Sequence, residues 1–235
     1  MTVQDHLQSL LEANKDVYLS GEEIALSLGV SRNAVWKAVK ALQAEGYPID
    51  AVPNKGYRLS AASDVLSRSG IAQYLTGEAK SLEFSVFESV SSTNIVLREL
   101  AENGAPEGTV VVASTQTGGR GRKGRSFFSP AGTGVYVSIL LKPDLDALDA
   151  TLITTTAAVA VCEAVEAVSG CTAEIKRVND VFVGGKKICG ILTEASFGME
   201  SGRLDYAILG TGVNVYTPEG GFPAEIANVA GSVLS

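Results

Sequence analysis

The segment Gln116-Thr117-Gly118-Gly119-Arg120-Gly121-Arg122-Lys123-Gly124-Arg125-Ser126-Phe127-Phe128 interleaves four glycines with four cations. Glycine lets the backbone adopt unusual dihedrals and approach a ligand closely, and clustered cations require an anionic partner. The chemistry suggested is capture of a small anion by a loop that orders around it. Gly119 to Ser126 also narrowly misses a P-loop, fitting GxxxxG[KR]S with Arg125 where lysine is required. An ordinary nucleoside-triphosphatase is therefore not expected. Gly-Arg runs also occur as unstructured RNA-binding segments, a reading the loop alone leaves open.

A second charged set lies near the N-terminus. Residues 31–40 hold three cations and no anion, although residues 1–62 carry seven acids against six bases. Ser31, Arg32, Asn33, Trp36, Lys37 and Lys40 belong to one helical segment, and Lys55 and Arg58 follow on a hairpin. In a helix-turn-helix the second helix enters the major groove, while a wing meets flanking phosphate. The set reads as a DNA-binding surface. Its competitors are a merely solvated basic face and a protein-docking module.

The elements that position these residues follow from periodicity and capping. Val3, Leu7, Leu10 and Leu11 recur at helical spacing, and Ser20 caps a short helix through Leu28. A turn at Gly29-Val30 leads into a helix capped by Ser31, with Val35, Val39 and Leu42 apolar and an end near Gly46. Strand-like pieces at 47–50 and 56–59 flank a turn at Pro53-Asn54. Residues 1–62 thus read as a winged helix, and 63–80 as a linker with a connecting helix. Beyond it, strands are expected at 82–87, 109–113, 134–141, 173–176, 181–183, 190–194 and 206–215, with helices at 94–103 and 150–168. Residues 81–235 form a mixed α/β core.

Composition sets the outer bounds. With 235 residues, 46% apolar and 19% charged, the chain can bury a core, which rules out wholesale disorder. A net charge of −7 excludes a wholly basic nucleic-acid binder, so any such contact must be a local patch. Cys162, Cys171 and Cys189 form no CxxC pair and read as reduced thiols. His6 is the single histidine, which excludes a multi-His metal site and argues against a Ser-His-Asp triad. No secretory signal is visible, and the apolar run Thr151 to Val168 contains Glu163 and Glu166, reading as a core helix rather than a membrane span. A cytoplasmic protein without a membrane partner is expected.

Four separated segments, in order, resemble those of the bifunctional biotin–protein ligases that double as biotin operon repressors. Ser92-Thr93-Asn94 resembles the family's SSTN segment, and Gln116 through Arg125 its QxxGRGRxGR loop. Lys176-Arg177-Val178-Asn179-Asp180, with Lys187-Ile188-Cys189-Gly190-Ile191-Leu192, resembles its KWPND…KxxGIL pair, and Gly210-Thr211-Gly212-Val213-Asn214 its GxGxN turn. With the winged helix, the resemblance covers essentially the whole chain. It implies a winged helix-turn-helix followed by an α/β ligase core with a mixed sheet of the biotin/lipoyl ligase type. It also implies ATP, Mg²⁺ and biotin as reactants, with biotinyl-5'-AMP as intermediate and effector. The implied partners are a lysine of a biotin carboxyl carrier domain, operator DNA and a second copy of the chain in a ligand-promoted homodimer.

The same resemblance assigns roles. Lys187 would be the catalytic lysine between carboxylate and α-phosphate, with Arg122 beside it, and Arg120 and Arg122 would fold over the intermediate to exclude water. Biotin would meet Ser92, Thr93, Asn94, Gln116 and Arg120, with Gly190, Gly210 and Gly212 admitting close backbone. The nucleotide would meet Arg122, Arg125, Phe127, Lys176, Asn179 and Asn214, while Asp180 would assist Mg²⁺ or bond the ribose. Phe127 stands where the family usually has a tryptophan against the adenine, keeping the stacking face and losing the N–H. Taken singly, these residues have plainer readings. Ser92 or Thr93 would cap the helix at Asn94, and Lys186-Lys187 would be a solvated pair after the tight turn at Val183-Gly184-Gly185-Lys186.

Two departures matter. Arg177-Val178 replaces the family's Trp-Pro, removing an aromatic wall and adding a charge. The sequence also stops at Ser235, short of the family's further helices and small C-terminal β-barrel. Two functions are therefore expected to compete: an active ligase that also represses transcription, and a DNA-binding biotin sensor with incomplete or absent ligase activity. A lipoyl-type ligase, which shares the acyl-adenylate logic, is a third, with the Gly-Arg loop favouring biotin.

Overall fold

Local capping decides where the first helices begin. In the computed structural model, which describes residues 2–146, 149–176, 179–198 and 203–234, Thr2, Ser20 and Ser31 each accept a hydrogen bond from the backbone N–H three residues on. Thr2 and Ser20 complete reciprocal capping boxes with Asp5 and Glu23. These caps open α1 (Val3–Ala13), α2 (Gly21–Leu28) and α3 (Arg32–Ala44). Gly29 ends α2 in the left-handed region at φ 66°, as the turn reading requires. Leu7, Leu11, Ile24, Val35, Val39 and Leu42 close into one core with Leu59.

Strands β1 (Ile49–Val52) and β2 (Gly56–Leu59) form the antiparallel wing. Gly56 lies at φ 103°, and a Cβ there would stand 2.0 Å from the Leu19 carbonyl oxygen, so the wing closes against residue 19 only with glycine. The chain divides into two compact units, 1–80 and 81–235. Residues 63–80, read above as linker and connecting helix, carry α4 (Arg68–Ala72) and pack with the first unit. Ser67 caps α4 and approaches the buried Glu12, which Lys15 neutralises at 3.2 Å.

The second unit is a mixed sheet of seven strands in the order β3-β4-β5-β9-β8-β7-β6. These are β3 (Phe84–Phe87), β4 (Val110–Ala113), β5 (Gly134–Leu141), β6 (Ala173–Lys176), β7 (Asp180–Val183), β8 (Lys186–Phe197) and β9 (Leu204–Asn214). Only β3 and β4 run parallel among these pairs. Helix α5 (Thr93–Glu102) packs Leu97 against Val111, Leu140 and Ile208. Helix α6 (Ala150–Ser169) packs Ala157, Ala158 and Val165 against Val181, Ile188, Cys189 and Ile191.

Two expectations are corrected here. Strand β8 begins at Lys186, not Gly190, so Lys187 lies within the sheet. Helix α6 is also long and apolar enough, by length and composition alone, to cross a membrane, because Glu163 and Glu166 dilute its hydropathy too little. Its Ile153, Ala157, Ala158 and Val165 are nevertheless buried on the protein side. The central position of Leu97 gives a direct test. Leu97→Ala should lower the unfolding free energy of the second unit by about 2–5 kcal/mol in a urea titration.

Candidate active site

Antiparallel pairing puts directly opposed residues on one sheet face. Tyr136, Gly212, Gly190 and Asp180 therefore form one row across β5, β9, β8 and β7, and Ser138, Gly210 and Leu192 a second. Glycines at 190, 210 and 212 leave a depression in this face. A Cβ at Gly210 would stand 2.1 Å from Asn94 Oδ1, and Cβ atoms at Gly190 and Gly212 would stand 2.9 and 2.5 Å from the Phe127 ring. These glycines, expected to allow close approach of a ligand, also admit the protein's own Asn94 and Phe127. Phe127 also meets Tyr136 edge-on, with centroids 6.3 Å apart.

Lys187 reaches the same face through a β-bulge. Cys189 pairs with Val181 but Lys187 with Phe182, so Ile188 is the extra residue and the side-chain alternation shifts by one. Ile188 and Cys189 both turn into the α6 core, and Lys187 turns to the cleft, where its Nζ lies 2.6 Å from Asp180 Oδ1. Burial pushes the Cys189 thiol up to about 12, so it is an inert core group. Gly184 and Gly185 both have positive φ, giving the tight turn expected before β8.

The Gly-Arg segment is a closed hairpin. Phe127 N–H bonds Gly119 O at 2.9 Å, Gly121 N–H bonds Arg125 O at 2.8 Å, and Arg120 bridges Ser126. No helix follows it, which separates it from a P-loop. Arg122 Nη1 donates to Asn179 Oδ1 at 2.9 Å, tying the hairpin tip to the β6–β7 connection. The resulting cleft is lined by Ser92, Thr93, Asn94, Gln116, Arg120, Arg122, Phe127, Asn179, Asp180, Lys187, Gly190, Gly210 and Gly212, among others. Its side chains set Arg120, Arg122 and Lys187 against Asp180, a net positive lining suited to an anion.

At the other end of the cleft the polar groups are buried. Ser92, Thr93 and Asn94 are buried, but Ser92 makes no side-chain cap. Instead Gln116 Oε1 accepts the Thr93 N–H at 2.9 Å, satisfying the helix start from another element. Asn94 Nδ2 donates to Glu194 Oε2 at 2.8 Å. Glu194 Oε1 also pairs with Arg98 at 2.6 Å and Arg120 at 3.3 Å. Motif and spacing single out neither Glu194 nor the buried Ser138. Alternation along β8 from Gly190 and Leu192 was the available signal for Glu194.

Three expected nucleotide residues lie outside the cleft lining. Lys176 sits on edge strand β6 with its Nζ 5.1 Å from the Phe182 ring centroid. Arg125 is exposed at the hairpin tip. Asn214 spends its amide on Gly231 O at 2.9 Å. That contact belongs to a second feature that no motif signals. Residues 229–233 strap Lys187, taking its N–H at Val229 O (2.7 Å) and bonding its O from Gly231 N–H (2.9 Å). Asp180, expected to assist Mg²⁺ or bond the ribose, lies in the cleft lining. Its carboxylate is engaged by Lys187, and no cluster of three His, Cys, Asp or Glu exists among the described residues. Arg177 and Val178 lie outside the described residues.

In the first unit, Arg32, Asn33, Trp36, Lys37 and Lys40 share the exposed face of α3, while Val35, Ala38, Val39 and Leu42 are buried. Ser31 is exposed and its hydroxyl caps the helix. Lys55 is exposed on the wing. Arg58 departs from expectation: it pairs with Asp50 at 2.6 Å and Asp16 at 3.0 Å, stacked 4.9 Å from the Tyr18 ring centroid. Asp50 is its cross-strand partner in the β1–β2 register, so the guanidinium carries local anions that oppose a phosphate.

Comparison with known proteins bears on both units. The Biotin/lipoate A/B protein ligase family matches residues 86–214, and an HTH domain family matches residues 3–58. The bifunctional ligase/repressor BirA of Bacillus spizizenii is 40% identical over 99% of this chain and 71% of its own length. The biotin protein ligase of Aquifex aeolicus, solved in complex with biotin and ATP, superposes with a TM-score of 0.52 at 34% identity, over 64% of this chain and 59% of that one. The biotin protein ligase of Leishmania major, solved with biotinyl-5-AMP, gives a TM-score of 0.53 at 25% identity, over 64% and 63%. The glycine depression yields its own test. Gly212→Ala should dislodge Phe127, loosen hairpin 119–127 and speed tryptic cleavage between Arg120 and Arg125 several-fold.

Proposed function

The chain belongs to the biotin/lipoate A/B protein ligase family, in its bifunctional ligase/repressor form, and from that premise we propose that it activates biotin with ATP, passes it to a carrier-protein lysine and binds operator DNA. One observation carries the enzymatic half. Lys187, fixed by Asp180, shares one end of a cleft with Arg122, and the opposite end, where Arg120 pairs with Glu194, is hydrogen-bonding and buried. Such a cleft suits a ligand with a neutral head and an anionic tail. Biotin has a ureido head and a carboxylate tail.

The chemistry follows from charge. A carboxylate oxygen attacks the α-phosphorus of ATP, the bond to the bridging oxygen breaks, and pyrophosphate leaves with the electron pair. Both reactants are anionic, so cations at the meeting point lower the barrier more than they stabilise the separate reactants. Lys187 supplies one such charge, held in direction by Asp180 and in backbone position by residues 229–231. Arg122, anchored on Asn179, supplies another and screens the mixed anhydride from water. In the second step the carrier amine attacks the acyl carbon, the amine proton is lost and AMP departs. Mg²⁺ enters as Mg·ATP, a substrate, and offsets phosphate charge. Among the described residues only Asp180 is a carboxylate in the cleft lining, and Lys187 already holds it.

Phe127 provides the aromatic face near the nucleotide end, and Asn179 orients Arg122. The α3 face with Lys55 is the DNA surface of this proposal, with Arg58 reassigned to bracing the wing. Ligand-dependent self-association and a cytoplasmic setting complete the reading. Pyrophosphate release from biotin, ATP and Mg²⁺ tests the enzymatic half. Lys187→Ala should lower it about 10²- to 10³-fold. Biotin binding without pyrophosphate above that control would instead favour the DNA-binding sensor, and lipoate outcompeting biotin would favour the lipoyl-type reading. For DNA, Arg32→Ala with Lys37→Ala should weaken affinity and shrink the salt slope by about 1 for each phosphate that is no longer neutralised. An unchanged slope and affinity would remove the repressor half.

A further inference from the structure

We infer that Lys186 is a positioning residue: its ammonium clamps the strap at residues 229–231 that holds the backbone of Lys187. The inference rests on the enzymatic reading above, in which Lys187 meets the reacting groups, and it gives the two adjacent lysines different tasks.

Strand pairing leaves one side of Lys187 without a neighbour. Strand β8 pairs with β7 at Lys187 and Phe182, but its pairing with β9 begins only at Cys189 and Val213. Beyond Asn214 the chain turns away, with the Val215 and Tyr216 N–H groups both donating to Thr133 O. The N–H and carbonyl of one strand residue point to the same side, and those of Lys187 point to the side that β9 has left. The strap takes that place. Val229 O accepts the Lys187 N–H at 2.7 Å, and the Gly231 N–H donates to Lys187 O at 2.9 Å. Ala230 is thereby a one-residue parallel partner of Lys187. Without it two backbone groups would lose their partners where the site needs a fixed ammonium.

Polar ties hold the strap in turn. Val233 reaches the α6 core, whereas Val229 is exposed. At the C-terminal end Asn214 Nδ2 donates to Gly231 O and Asn214 O accepts the Val233 N–H, each at 2.9 Å. At the N-terminal end the tie is Lys186. Residues 223–230 coil into a turn in which Pro223 O and Ile226 O each accept two backbone N–H groups. The carbonyls of Ala227 and Asn228 take no part in those bonds, and Lys186 Nζ donates to both, at 3.4 and 2.9 Å. An ammonium on the last carbonyls of such a turn is a charge-assisted cap. The stem of Lys186 also lies against the strap, since a Cβ at Gly231 would stand 2.5 Å from Lys186 Cβ. Lys187 lines the cleft, and Lys186 is engaged outside it. Any effect of Lys186 on the reaction therefore passes through the strap.

The test measures amide hydrogen exchange by NMR, and pyrophosphate release from biotin, ATP and Mg²⁺, on the same variants of the full chain. Lys186→Met keeps an apolar stem and deletes the donor. It should speed exchange at the Lys187 and Gly231 amides about 10-fold, the scale of one lost charge-assisted hydrogen bond, and leave the β4 and β5 amides as they are. The kcat of pyrophosphate release should fall about 10-fold with the KM for biotin little changed, because a displaced ammonium costs orientation more than binding. Lys186→Arg, which can cap the same carbonyls, should restore most of both. Gly231→Ala pushes the strap off the Lys186 stem and should reproduce the pattern, so it decides the matter if Lys186→Met does not fold. Faster exchange spread evenly over the second unit marks a merely structural residue and overturns the inference. So does faster exchange at Lys187 and Gly231 without a loss of kcat, a loss of kcat without faster exchange, or no change in either. A wild type that releases no pyrophosphate overturns the enzymatic reading, and this inference with it.

Discussion

A pleated sheet face is normally filled by its side chains, and a cleft can open on it only where they are missing. Here the missing side chains are those of Gly190, Gly210 and Gly212, on the neighbouring strands β8 and β9. Everything in the site depends on that depression. Asn94 enters it from the start of α5, Phe127 enters it from the hairpin, and the distances to a notional Cβ leave no room for alanine without displacement. The glycines therefore act first on the protein, letting two distant segments meet over one sheet face.

The two ends of the cleft solve opposite electrostatic problems. Around Lys187 the structure keeps charge available, using an ion pair with Asp180 and a backbone strap to hold one ammonium in place. Around Thr93 it removes charge from view, sending Glu194 to two guanidiniums and an amide. An anionic tail and a neutral, hydrogen-bonding head fit those ends in one orientation. That fit underlies the proposed acyl adenylation.

The first unit follows a simpler rule. Its helices begin where a serine or threonine can accept a backbone N–H, and its basic α3 face is what remains exposed after the apolar face is buried. Arg58 shows the limit of reading charge without pairing. Its sequence neighbours do not predict that Asp50 faces it across the wing and Asp16 reaches it from beyond the end of α1. Two carboxylates flank this arginine and brace the wing.

Caps, periodicity and turn glycines are local, and the sequence alone therefore placed the winged helix, the α5 and α6 helices and every strand of the large sheet to within a few residues. The ordered motifs likewise pointed to Ser92, Thr93, Gln116, Arg120, Arg122 and Lys187, which the fold does gather in one cleft. What only the tertiary structure decided are contacts between residues far apart in the chain. The bulge that turns Lys187 to the cleft, the strap at 229–233, the removal of Lys176, Arg125 and Asn214 from the lining, and the Glu194 hub all depend on strand register and on which groups already have partners. Composition and spacing report what a side chain can bond. Only packing decides what has already bonded it.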